Sequence, residues 1–192
     1  MSPAIILAAG SSERMGRPKA LIEWRGETFL ARIARVLREG GVTTIAVVVG
    51  GAHRPEIEAA ARALDPTVTI LENHSPEEGP VESVRIGLAA FPDAPFLLCQ
   101  PVDIPGIEAA DVAAILEADA SADLVVPSVD FRRGHPLRIG TRARSLLLGD
   151  PARYPTVRKL FGEPSLRLLH VERANRGLLR DFDTPEDLDQ LA

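Results

Sequence analysis

One cysteine and four histidines are all the thiol and imidazole that 192 residues offer, and they show no metal-ligand spacing. A single thiol excludes an intrachain disulfide. The place of Cys99 in the apolar run Phe96-Leu97-Leu98-Cys99 reads as a small buried hydrophobe, not a nucleophile. His53, His74, His135 and His170 lack the spacing of zinc ligands, so no zinc site is expected. No apolar run approaches the length of a bilayer span, and Met1-Ser2-Pro3 leads straight into a strand pattern instead of a charged export leader. A cytoplasmic protein without a membrane partner is the expectation. Basic residues are not in excess either. The 22 Lys and Arg against 27 Asp and Glu give a formal net charge of −5, which offers nucleic acid no general attraction. A phosphate ligand must therefore be held by a local site.

What is present is a full core and a regular alternation. With 45% hydrophobic residues, the length suits one domain spanning 1–192. Continuous apolar runs at 4–8, 44–49, 68–71, 96–99 and 124–126 predict strands buried on both faces. Apolar positions three and four apart predict helices over 29–39, 55–64, 81–91 and 110–118. The order βαβαβαβα implies an α/β fold with a mostly parallel sheet between helical layers and right-handed crossovers. Ligands in such folds collect beyond the carboxyl ends of the strands. The nucleotide-binding half is expected to end near 126. The stretch 127–180, rich in turns and arginines, reads as an acceptor-binding elaboration. Residues 181–192 then read as a closing helix, with Thr184 as N-cap, Pro185 at its first position and Asp187 completing a capping turn.

The first strand runs directly into Gly10-Ser11-Ser12-Glu13-Arg14-Met15-Gly16-Arg17-Pro18-Lys19, a loop suited to a polyphosphate. Gly10 lets backbone amides approach phosphate oxygens, Ser11 and Ser12 add amides and hydroxyls, and Arg14 and Lys19 can neutralise charge. The spacing is not that of a P-loop, since Gly10 and Gly16 are one residue too far apart and no Ser or Thr follows the lysine. A dinucleotide fingerprint is also missing, for want of a middle glycine. A metal that assists displacement at a phosphate needs one or two carboxylates near a strand end. Asp103, in the Pro101-Val102-Asp103-Ile104-Pro105 turn after the 96–99 run, is one candidate. Asp183 is the second, although Asp181 and Asp183 could equally favour the positive end of the last helix.

The string Leu7-Ala8-Ala9-Gly10-x-x-x-Arg14-Met15-Gly16-x-Pro18-Lys19 resembles the signature of the MobA-like nucleotidyltransferases. Val102-Asp103-x-Pro105 and the Asp183-Thr184-Pro185-Glu186-Asp187-Leu188 tail are similar to that family's segments as well. The resemblance implies a nucleotide-diphospho-sugar transferase fold. It implies an enzyme that moves a nucleoside monophosphate from a triphosphate onto a small phosphorylated acceptor with Mg²⁺. Residues 7–10 with Ser11, Ser12 and Lys19 would hold the nucleotide, Arg14 and Lys19 would contact phosphates, and Asp103 and Asp183 would hold the metal. Gly79 and Ser83, in Glu78-Gly79-Pro80-Val81-Glu82-Ser83, match the loop that contacts base or ribose, with Pro80, Val81 and Glu82 departing from the commoner pattern. Gly134-His135-Pro136 resembles a segment of cytidylyltransferase-like members and would bring His135 to the acceptor. Ala9, where the GTP-using branch usually has glycine, points to CTP and a molybdopterin-type acceptor, with a protein of molybdoenzyme maturation as partner. Three other readings stand beside it: transfer to a sugar phosphate or other alcohol phosphate, a non-catalytic nucleotide-binding module, and a redox enzyme using a dinucleotide.

Overall fold

The structure, a computed structural model, describes residues 1–10, 16–184 and 186–187. Ser11, Ser12 and Arg14 lie outside the described residues, as does most of the expected closing helix. Strand β1 (Pro3–Ala8) leads through a small hairpin, β2 (Glu23–Trp24) and β3 (Glu27–Thr28), into helix α1 (Phe29–Glu39). Then come β4 (Thr44–Gly50), α2 (Arg54–Leu64), β5 (Thr69–Asn73), α3 (Pro80–Ala90), β6 (Phe96–Pro101) and α4 (Ala109–Glu117). The chain continues through β7 (Leu124–Val129), β8 (Arg132–Arg133), β9 (Leu137–Gly140), α5 (Thr141–Gly149) and β10 (Leu168–Glu172). Each of the expected strands and helices up to residue 126 is present, shifted by at most a few residues at its ends. No described helix is long and apolar enough to cross a membrane.

The main sheet runs in the order β10-β7-β9-β6-β1-β4-β5, with β8 on the far end of β7. It is a mixed, mostly parallel sheet, because β9 pairs antiparallel with both β6 and β7. Successive side chains of a strand point to opposite faces, so the continuous apolar runs feed two cores at once. Ile6 with Val47 and Val49 packs under Phe29, Ile33 and Leu37 of α1, whereas Ile5 with Val48, Leu97 and Cys99 packs under Val84 and Leu88 of α3. Burying each such branched side chain contributes roughly 1.5–3 kcal/mol. Thr28 starts α1 by accepting the amide of Ala31 at 3.2 Å.

Residues 127–180, which in sequence show turns and short helical pieces, build the second half of the sheet. Strand β9 is inserted between β6 and β7, and β10 adds a parallel edge to β7. Arg138 in the middle of β9 is only 3% exposed, and its guanidinium caps the end of α4 through the carbonyls of Ala118, at 2.9 Å, and Ile115, at 3.2 Å. A buried cation at a helix C-terminus is thereby satisfied. Strands β4 and β5 leave β1 on one side and β6 returns on the other, which opens a crevice between the carboxyl ends of β1 and β6.

Candidate active site

That crevice is a cleft of about 500 Å³. One wall is the end of β1, Leu7 to Gly10; another is Pro101, Val102 and Asp103 beyond β6; a third is Gly79, Pro80 and Ser83 at the start of α3; Lys19 and Asp183 close it. The structure thus gathers residues spread over 177 positions of sequence, and each is there for a local reason. Lys19 opens a 3-10 turn, Lys19–Leu21; Ala20 within it and Ile22 just after it are buried at 1% and 0% exposure, so the backbone is pinned and the long side chain reaches into the cleft. Asp103 stands in a turn that Gln100 braces from beneath. The fully buried Gln100 donates from Nε2 to the carbonyls of Pro101 at 2.8 Å and Ile104 at 2.9 Å. Val102 extends the strand pairing by donating to the carbonyl of Leu7 at 3.1 Å.

Asp183 reaches the site through its neighbour. The Phe182 ring packs against Phe29 and Trp24, at centroid distances of 5.5 and 6.1 Å, and its amide donates to the Asp103 carbonyl at 2.9 Å. Upstream, Gly106 and Gly177 touch backbone to backbone, since a Cβ on Gly106 would lie 2.8 Å from the Gly177 Cα. Asn175 locks this contact, donating to the Gly106 carbonyl at 2.9 Å and to Asp111 at 2.7 Å while accepting the Gly177 amide at 2.9 Å. The buried Asp111 also takes Nε of Arg173 at 2.8 Å.

At the centre, the Lys19 ammonium bridges both carboxylates: Asp103 Oδ2 is 3.2 Å from Nζ, and Asp183 Oδ1 is a second, closer partner. Partial burial disfavours the ammonium, but the two carboxylates outweigh it and hold the Lys19 pKa above its ordinary value. Two aspartates sharing one cation form a hard-oxygen donor pair of the kind that holds Mg²⁺ or Mn²⁺ together with phosphates and waters. A triphosphate that enters beside two carboxylates gains from bringing a divalent cation with it.

A family description, the MobA-like NTP transferase domain, matches residues 4–171. The chain belongs to this family. The transferase is 30% identical to "Probable molybdenum cofactor guanylyltransferase" of Opitutus terrae over 96% of this chain and 92% of that one. It is 28% identical to "Nicotine blue oxidoreductase" of Paenarthrobacter nicotinovorans, over 97% and 94%. Among solved structures, Rv0371c from Mycobacterium tuberculosis H37Rv superposes with a TM-score of 0.84 at 26% identity, covering 100% of this chain and 97% of that one. Rv0371c has also been crystallised as a manganese complex, which superposes at 0.77 with 25% identity over 98% and 96%. The transferase is accordingly a nucleotidyltransferase. Relatives named for guanylyl transfer stand where the sequence pattern points to cytidylyl members.

Of the residues singled out in sequence, Leu7, Ala8, Ala9, Gly10, Lys19, Gly79, Ser83, Asp103 and Asp183 line one cleft. Gly79 caps α3 with a φ of 95°, a left-handed conformation that favours glycine, and its missing side chain leaves open space over the cleft. Ser83 does not project freely: its Oγ accepts from Asn73 Nδ2 at 2.9 Å. His135 is not a lining residue. It follows β8, donates its amide to the Leu178 carbonyl at 3.1 Å, and sets its ring against the Cys99 backbone within the field of Asp103. Burial pushes the His135 pKa down against the opposing pull of Asp103 and the Cys99 backbone, and Nδ1 is buried without a hydrogen-bond partner among the described residues. Gln100, Phe182 and Asn175 went unremarked in sequence. An amide in a buried strand and a lone aromatic before an acidic tail were the only signals they carried.

Proposed function

We propose that the transferase moves CMP from CTP to the terminal phosphate of a molybdopterin-type acceptor, releasing pyrophosphate. The observation that carries this reading is the convergence of Lys19, Asp103 and Asp183 in the crevice between β1 and β6. An acceptor phosphate oxygen attacks the α-phosphorus in line, an oxygen–phosphorus bond forms, and the bond to the β-phosphate oxygen breaks. The acceptor phosphate is already ionised at neutral pH, so no general base is required. Lys19 and Arg14 neutralise the growing charge on the triphosphate, residues 7–12 hold the nucleotide, and Gly79 and Ser83 face its base or ribose. His135, whose ring lies within the field of Asp103, would be the residue nearest the acceptor on this reading. When bound by Asp103 and Asp183, Mg²⁺ would supply charge stabilisation to the leaving pyrophosphate.

CTP is favoured over GTP because Ala9, which lines the cleft, stands where the guanine-using branch usually has glycine. The name of the Opitutus terrae relative makes GTP the alternative donor, and that of the Paenarthrobacter relative, an oxidoreductase, keeps the redox reading as the competitor, for which NADPH is the probe. A ligand that binds only the folded chain raises its melting temperature. Thermal melts with CTP, GTP, ATP, UTP and NADPH, each with and without Mg²⁺, are expected to show a Mg²⁺-dependent rise that is largest with CTP. A largest rise with GTP would replace the donor. A rise with NADPH alone, independent of Mg²⁺, would contradict the reading. The nucleotidylated product would pass to a protein of molybdoenzyme maturation.

A further inference from the structure

Asn73 ends β5 and is 2% exposed; Ser83, in the first turn of α3, is 4% exposed where it lines the cleft. The hydrogen bonds of the Asn73 side chain fix which end of its amide points where. The Ser75 backbone N–H can only donate, so the atom that meets it at 2.9 Å is Oδ1, and Nδ2 must then face Ser83 Oγ, also at 2.9 Å. An amide N–H cannot accept, so the Ser83 oxygen takes that bond and its own proton points elsewhere. A helical serine can return this proton to the carbonyl four residues back, as Ser145 of α5 does to Thr141 at 3.0 Å. Ser83 makes no such bond among the described residues. On the same wall Pro76 and Pro80 have no N–H, and the Gly79 amide is spent on the Pro76 carbonyl at 3.2 Å, so the donor this wall presents is the Ser83 hydroxyl. Backbone contact holds Asn73 in place: a Cβ on Gly50 would lie 2.7 Å from the Asn73 carbonyl oxygen and 3.2 Å from the Ala9 Cβ.

Resting on the reading that Gly79 and Ser83 face the nucleoside, we propose that Asn73 is a positioning residue that sets Ser83 as a fixed hydrogen-bond donor into the cleft, so that the site selects nucleosides presenting an acceptor oxygen there. A base carbonyl, which cytosine, uracil and guanine carry and adenine lacks, is one source of that oxygen; a ribose hydroxyl is the other. Burial makes the device selective, because a ligand that covers the hydroxyl without accepting its proton leaves it unpaired. Asn73→Asp keeps the shape of the side chain and reverses the polarity. A carboxylate accepts at both oxygens, so one holds the Ser75 amide while the other draws the Ser83 proton away from the cleft.

The test is calorimetric titration of CTP, UTP, GTP and ATP, each with Mg²⁺, into the full chain as wild type, Ser83→Ala, Asn73→Asp and the double variant, all checked by circular dichroism for a cooperative melt. Ser83→Ala and Asn73→Asp are each expected to weaken CTP binding on the order of 10-fold, the scale of one unmade hydrogen bond in a closed site. The double variant is expected to bind no more weakly than Asn73→Asp alone, since that carboxylate has already withdrawn the proton. A Ser83→Ala loss confined to CTP, UTP and GTP would place the acceptor on the base, and a loss shared by ATP would place it on the ribose. Losses that add in the double variant would overturn the positioning role of Asn73. Unchanged affinity in Ser83→Ala, beside a wild type that binds, would overturn the donor and leave the nucleotidyltransferase reading standing. No nucleotide bound by the wild type would overturn that reading and this inference together. Where the buried carboxylate keeps Asn73→Asp from folding, Asn73→Ala takes its place: the cost of Ser83→Ala is expected to shrink once the hydroxyl is no longer held, and additive losses would again overturn the positioning role.

Discussion

At His135, burial works against a positive charge beside the site. The folded protein keeps this ring neutral at a pH where the unfolded chain, at an ordinary histidine value of 6.5, already takes up a proton. Unfolding then binds a proton, so stability falls as pH drops below 6.5 toward the depressed folded value and is fully present above it. Thermal melts between pH 5 and 8 are expected to show this loss in the wild type and a flatter profile in His135→Asn. At the same scale, Lys19, Asp103 and Asp183 were legible in sequence because an ordered motif carried them. Gln100 was not, since what matters is that its amide meets the carbonyls of Pro101 and Ile104, and that turn exists only once β6 has folded.

Among the elements, the segment after β10 is held against the loop after β6 by Asn175, Asp111 and Arg173, and this fixes how far Asp183 stands from Asp103. Asn175→Ala removes two donated bonds and one accepted bond and leaves Asp111 less well satisfied. The expected cost is ~1–3 kcal/mol in a urea titration, the range for stranding a buried polar group. Weaker Mn²⁺ binding in the presence of nucleotide is expected beside it, as the two carboxylates lose their spacing. Unchanged metal affinity would reduce the clamp to a purely structural tie. The βα units up to residue 126 were readable because each strand is built on an apolar run and each helix sets apolar residues three and four apart, most cleanly in α1. Strand β9 was hidden by Arg138, a charge that looks like surface until the end of α4 supplies its carbonyls. Strand β10 lies half-exposed at a sheet edge, where apolar patterning is weakest.

For the whole molecule, strand order decides where the chemistry sits. The chain folds β4 and β5 to one side of β1 and brings β6 back to the other, and the crevice this topology creates at their carboxyl ends is the one where Lys19 and Asp103 meet. The acidic chain, at −5 overall, does not attract polyanions at long range, so local charge and a divalent cation must do so. Release of pyrophosphate from CTP or GTP, with molybdopterin as acceptor and Mg²⁺ present, tests this most directly when wild type and Asp103→Asn are assayed side by side. Acceptor-dependent pyrophosphate release is expected from the wild type and a loss on the order of 100-fold or more from Asp103→Asn, the scale of removing a key electrostatic stabiliser. Equal release by the two proteins would contradict the assignment of the crevice as the site of transfer.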